Sequence, residues 1–342
     1  MSSATKEPTA PTVASSTPSS AQSAPGLLER SGARVIGGYA VLLTFAAIFA
    51  FFAVDIPGIF VSGHNMANIT NAAAVDGLLA VGITLPLIVR DFDLSIGSGA
   101  SLSGALAIVL MSQHGWSPIP AVLAALLLAV AVGLVNGGLI ARLGASSFII
   151  TLAMGSVLVG VEFLLTKQET IILGIPPSFT DFGTASIAGV QVPVFLTVAL
   201  TLGLAFIVAQ TPVGRYFRAV GANPDAARFL GLPVVRLRVA ALVVSAVCAA
   251  LAGIFIVSVA GNSFPNAGEP HLLPAFAAAF LGSTLFPSRQ FSLVGSLISA
   301  WLLEMVATGL VELNLQSWTI DVFNGLVLMV AIVAALKGRL QA

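Results

Sequence analysis

An all-α polytopic membrane protein is the fold class this sequence predicts, with about ten transmembrane helices, N- and C-termini in the cytoplasm, and one short helix in a cytoplasmic loop. Three observations predict it. The composition excludes a water-facing surface, because 57% of the 342 residues are apolar and 8% are charged, where soluble domains carry about a quarter. Apolar stretches long enough to cross hydrocarbon recur from Val35 onwards. Basic residues then gather on one side of the alternation those stretches define. Fourteen basic residues balance fourteen acidic ones and no basic run interleaves with aromatics, so nucleic acid finds no electrostatic footprint.

The elements follow in order. Met1 to Gly26 is rich in Ser, Thr, Pro and Ala and reads as a disordered cytoplasmic tail, which sets a boundary between residues 1–30 and a transmembrane domain over 31–342. No secretory signal is read there, because the first apolar run comes only at Val35 to Val54. That run has 20 uncharged residues, about 30 Å of helix. Nine further apolar segments follow: Met66 to Val89, Leu94 to Met111, Ala121 to Ala141, Ser147 to Thr166, Pro193 to Gln210, Val239 to Val259, His271 to Leu285, Phe291 to Val311 and Trp318 to Leu336. Gly and Pro in 112–120 break the long uncharged stretch. His271 to Leu285 is short and reads as a span, a half-helix or a re-entrant piece.

Alternating these spans from an inside start puts Lys6, Arg30, Arg34, Arg90, Arg142, Arg215, Arg218, Arg228, Arg236, Arg238, Arg289, Lys337 and Arg339 inside. Only Lys167 falls outside, while Trp116 and Trp318 fall at the outer interface. Residues 81–85 with 94–98 echo 281–285 with 292–296, as a duplicated helical hairpin would.

Residues 211–236 form the longest polar cytoplasmic loop. Within it Asn223 can cap a helix that begins at Pro224, Asp225 suits the positive end of its dipole, and Gly231 with Pro233 stops it after about two turns. Ala226 and Ala227 leave one side nearly bare for an approaching surface, with Arg228 and Phe229 beside them. Two readings are open on these residues: docking into a groove on a partner, or lying on lipid headgroups held by the arginines.

The segment from Gly214 to Gly231, with Arg215, Arg218, Gly221, Asn223, Pro224, Asp225, Ala226, Ala227 and Arg228, closely resembles the ATPase-coupling loop of ABC-transporter permeases of the ribose/xylose/galactose import family. Asp93-Leu94-Ser95-Ile96-Gly97-Ser98 resembles the signature at the start of that family's third span. Arg90 and Asp91 stand where the family usually has two glycines, which puts the local backbone turn in question.

The resemblance covers roughly Asn65 to Arg339. It implies a multi-pass inner-membrane permease subunit that translocates a monosaccharide or related polyol by alternating access. Its implied partners are a second permease subunit, cytoplasmic ABC ATPase subunits and a periplasmic sugar-binding protein. The chain itself would bind no cofactor, with ATP-Mg on the partner ATPase, and no G-x-x-x-x-G-K-[ST] motif occurs in it. The rival is an ion-gradient-driven secondary transporter, suggested by the echo and the membrane acids.

No catalytic residue set and no metal site can be assembled, since His64, His114 and His271 are placed at the outer surface without ligand spacing. Asp76, Glu162, Glu304 and Asp321 fall in or near spans, where an acid near the middle costs about 2.5–3.5 kcal/mol. Asp76 and Glu304, with Trp301 one turn from Glu304, are candidates for a substrate path; interhelical hydrogen bonding is the alternative. Glu162 and Asp321 lie towards outer ends, in structural or rim positions. Gly133 with Gly137, and Ser95, Gly99 and Ser103, mark faces for close helix packing or for pore lining. Cys248 reads as a small core residue.

Overall fold

The computed structural model describes residues 27–286 and 290–340, with side chains described from 41 to 335 apart from the same gap. Expectations for residues 1–26, including Lys6, and for Arg289 lie outside the described residues, as do the side chains of Arg30, Arg34, Lys337 and Arg339.

Helix α1 runs Leu27–Asp55, starting ahead of the boundary expected at residue 31. Then come α2 (Pro57–Phe60), α3 (Gly63–Ile88), α4 (Ile96–Ser112), α5 (Pro118–Leu143), α6 (Ser147–Thr166) and α7 (Pro177–Thr184). A two-stranded hairpin, β1 (Ser186–Ile187) and β2 (Val190–Gln191), leads to α8 (Val192–Gln210), α9 (Pro212–Ala222), α10 (Pro224–Phe229) and α11 (Val234–Ala260). A 3₁₀ turn at Glu269–His271 opens α12 (Leu272–Gly282), and α13 (Leu293–Glu312) and α14 (Trp318–Leu340) complete the chain.

Each of the ten apolar segments is a helix, and among the described residues α3, α5, α6, α8, α11, α13 and α14 are the ones long and apolar enough to cross a bilayer. The apolar part of α1 with described side chains, Val41–Asp55, is shorter. Helix α4 has 17 residues because the chain stays irregular through Ser95. Helix α12 has 11 residues, about 16 Å and half a bilayer. The span expected over His271 to Leu285 is therefore a half-helix, entered from a non-helical segment that Gly261, at φ +65°, and Asn266, at φ +59°, turn back into the bundle.

Helix α11 is the hub, packed against α3, α4 and α5, while α13 packs on α3 and α12. Small residues allow this. A Cβ on Gly133 would lie 2.6 Å from Val243 Cα and one on Gly137 2.8 Å from Val239 Cα, so the G-x-x-x-G face is a packing seam of α5 on α11. The Ser95, Gly99 and Ser103 face encloses a gap of only about 10 Å³, about one water, and so is also a packing face. Cys248 is buried in the main core cluster with Leu78, Ile83, Ile96 and Phe276.

Two features were missed. Helix α9 fills part of what reads as a polar loop, since Gly214, Phe217, Val220 and Gly221 recur at helical spacing and are buried together. At the opposite end, α7 and the β1–β2 hairpin cap the bundle, with Asn71 of α3 donating to the Gly189 carbonyl and accepting from Gln191 N–H.

Candidate functional site

The cytoplasm-assigned end of the bundle carries the segment that resembles a coupling loop. Asn223 Oδ1 accepts hydrogen bonds from the N–H groups of Asp225 and Ala226, both 3.0 Å, and Pro224 opens α10, as the capping pattern predicts. Leu230 ends the helix and Gly231 takes φ +77°. Arg215, Arg218, Asp225, Ala226 and Arg228 are exposed, and Phe229 and Leu230 are 93% and 80% exposed.

Three of the segment's expected residues face the other way. A Cβ on Gly214 would collide with the Val208 carbonyl, and one on Gly221 with that of Ile88, so α9 lies hard against the ends of α8 and α3. Ala227 is buried with Val89, Phe217, Val220 and Val234. The surface that Ala227 lets come close is the chain's own, which corrects the expectation that it stands bare beside Ala226.

The turn between α3 and α4 holds the signature. Arg90 adopts φ +65°, the left-handed conformation that suits glycine, so the backbone turn survives the departure. Asp91 is buried and receives Arg238 in a two-pronged ion pair, Nε to Oδ2 at 2.8 Å and NH2 to Oδ1 at 2.5 Å. Arg238 lies in the first turns of α11, so this pair ties the turn to the chain leaving α10. Next to it, Asp93 Oδ1 accepts from the N–H and hydroxyl of Ser95, whose Oγ accepts from Asn136. Burial pushes the Asp93 carboxyl above its ordinary range, opposed by those Ser95 hydrogen bonds. The N–H groups of Phe92 and Leu94 donate to Ser147 and Thr151 of α6. Gly97 allows α4 to pass Gly268, whose carbonyl oxygen would sit 3.3 Å from an added Cβ.

Halfway along α3, Asp76 meets His271 at the mouth of α12, Oδ1 to Nδ1 at 2.6 Å. Glu304 of α13 is close enough to interact electrostatically with both. His271 is therefore not an outer-surface residue, unlike exposed His64 and His114; the half-helix carries it inwards. Trp301 points its Nε1–H at Thr70 Oγ1, 3.1 Å away, and is partly buried against the main core. Glu162 is 0% exposed and accepts the N–H of Asn266 at 3.0 Å, which rules out a solvated rim position, whereas Asp321 is exposed. Among the described residues no group of three His, Cys, Asp or Glu side chains could hold a metal ion.

Across the 3₁₀ turn from the Asp76–His271 pair lies a cavity of about 510 Å³, lined by Leu94, Gly155, Ser156, Asn266, Glu269 and Leu272 among others. Sequence reasoning missed Ser156, Asn266 and Glu269, the first inside an apolar span and the other two in what reads as an outward loop.

Residues 65–332 match the family described as branched-chain amino acid transport system / permease component. The chain is similar to the ribose import permease protein RbsC of Haemophilus influenzae, 30% identical over 279 residues, 80% of this chain and 86% of the relative. Against RbsC of Escherichia coli strain K12 it is 32% identical over 272 residues, 79% and 84% of the two chains. Against the autoinducer 2 import system permease protein LsrC of Shigella flexneri it is 30% identical over 282 residues, 82% and 81%. No solved structure matches.

Proposed function

Because the chain belongs to the branched-chain amino acid transport system / permease component family, as the permease subunit of an ATP-binding-cassette importer, we propose that it carries a monosaccharide or related polyol across the inner membrane by alternating access. The relatives named for ribose support the sugar, and a cavity lined by Glu269 with no lysine or arginine supports a neutral over an anionic solute. In this reading α1, α3, α4, α5, α6, α8, α11, α12, α13 and α14 make ten passes, α12 as a half-span, with both termini cytoplasmic. The charge asymmetry of the loops supports that sidedness. A second permease subunit, cytoplasmic ATPase subunits that hold ATP-Mg, and a periplasmic binding protein complete the importer.

One observation carries the coupling role: α10 presents Phe229 and Leu230 to solvent on a base that cannot give way. Large exposed apolar side chains on a capped two-turn helix are a contact surface in waiting. Closure of the ATPases would push α10, and the α9–Ile88 and Asp91–Arg238 contacts would pass the displacement to α3, α4 and α11. Arg215, Arg218, Arg228 and Arg236 flank this surface.

The double substitution Phe229→Asp/Leu230→Asp tests it. Co-purification of the ATPase and ATP-dependent uptake should both be lost, while membrane insertion and the unfolding midpoint stay where they are. Retained co-purification would refute docking at α10, as expected of a helix that only rests on headgroups. Ala227 is unsuitable for this test because its burial would confound docking with folding.

A further inference from the structure

The cavity beside Glu269 is placed where a permease needs a solute site and holds a carboxylate that a hydrocarbon environment would not tolerate. Ser156 is halfway along α6, and Leu272 begins a helix that covers only half a bilayer, so both open at mid-depth. A carboxylate left to lipid at that depth costs about 2.5–3.5 kcal/mol. Water, a solute or another chain must fill the space in front of Glu269.

Three helices hold the segment that forms its polar wall. Asn266 donates its N–H to Glu162 of α6, Gly268 donates its N–H to Ser101 of α4 at 2.8 Å, and His271 meets Asp76 of α3. Each anchor is a side chain spent on this segment, which marks the wall as constructed rather than left over.

The lining specifies what kind of solute fits. Glu269 accepts hydrogen bonds, the Asn266 amide group donates, the Ser156 hydroxyl, which itself donates to the Leu152 carbonyl, can accept, and Leu94, Leu152, Val159 and Leu272 give aliphatic walls. No lysine or arginine lines the cavity, so a phosphate or carboxylate would meet Glu269 with no counter-charge. We infer that this cavity is a solute subsite in which Glu269, Asn266 and Ser156 bind hydroxyl groups of a neutral polyhydroxylated solute, held in register by the Asp76–His271 pair. The inference rests on the permease reading and names the subsite within it.

The test uses the complete transporter, with its ATPase and binding-protein partners, in proteoliposomes. Cys248 is 1% exposed and is replaced by alanine, after which Ser156→Cys is introduced and probed with a small hydrophilic methanethiosulfonate. Labelling is followed with and without D-ribose and a panel of neutral pentoses and hexoses. Modification that the transported sugar slows several-fold is the expected result. In parallel, Glu269→Leu should raise KM for uptake about tenfold, the loss of one hydrogen bond to a charged group, with ATPase co-purification reporting that the variant is folded. If Ser156→Cys resists the reagent, or reacts at the same rate with every sugar while the unsubstituted transporter takes sugar up, the subsite is wrong and the permease reading stands. If the unsubstituted complex takes up no sugar and binds no ATPase, both fall.

Discussion

The coupling end and the mid-depth turn are built from similar parts and behave as opposites. Each holds a short helix beside a pair of one acidic and one basic residue. At α10 the pair is Asp225 with Arg228, 3.8 Å apart and mostly solvent-exposed on both sides, a contact worth at most about 1 kcal/mol. At the mouth of α12 the pair is Asp76 with His271, 2.6 Å apart among packed helices. Polar residues in the first region are free to serve a partner because water already satisfies them. In the second each must find its own partner inside the chain, and the position of the segment follows from that. Substitutions at α10 should therefore change function and leave stability alone, whereas substitutions of buried polar groups should change stability first.

The largest effect expected from that contrast is at the ion pair next to the signature. Asp91 has a side chain 2% exposed, so Arg238→Met strands a carboxylate in the interior. Removing one member of such a pair costs about 3–5 kcal/mol. The double variant Asp91→Leu/Arg238→Met should recover most of that loss, because two apolar groups leave no charge behind. Denaturation of the detergent-purified protein measures both. A single-variant loss under about 1 kcal/mol would mean that buried and solvated pairs are equivalent here, and the contrast would fail.

Helix α9 sharpens the comparison, since it belongs to the coupling end by sequence yet is mounted like the interior. Gly221→Ala places a methyl group against the Ile88 carbonyl, and overpacking of that kind costs about 1–3 kcal/mol. If residues 212–222 simply lay in solvent, the change would stay within about 0.5 kcal/mol. Thermal unfolding and ATPase stimulation by loaded binding protein should fall together, because the same contact holds α9 and transmits its movement.

Much of this was legible because it is local. Ten apolar stretches mark ten helices, and Asn223, Pro224 and Gly231 mark α10 almost to the residue, since capping is decided within one turn. Helix α9 was legible in principle, as Phe217, Val220 and Gly221 keep helical spacing, but the arginines between them read as a polar loop. What was not legible is pairing at a distance. Asp76 and His271 are 195 residues apart, and Asp91 and Arg238 are 147 apart. Nothing near any of the four announces its partner. The half-length of α12 decides the depth of His271, Glu269 and Asn266, so reading that segment as a full span sends all three to the outer surface. Trp301 is a related case: its place along α13 sets it near Glu304, while its indole N–H is bonded to Thr70, 231 residues away.

The smallest effect lies one residue from the largest. Arg90 is exposed and left-handed, at φ +65°, a conformation that costs a residue with a Cβ about 1–2 kcal/mol. Glycine relieves that strain but brings more backbone entropy to the unfolded chain, worth about 0.4–1 kcal/mol. Arg90→Gly should therefore fall between unchanged and about 1.6 kcal/mol more stable. Asp91→Gly removes the buried carboxylate from Arg238 and should be strongly destabilising, although it too restores a glycine of the family signature. Opposite outcomes at adjacent residues would show that the turn itself tolerates either sequence and that the second departure is fixed by its long-range partner. A comparable loss for both would place the requirement in the turn's backbone instead, and Arg238 would then be a consequence of the fold rather than a reason for it.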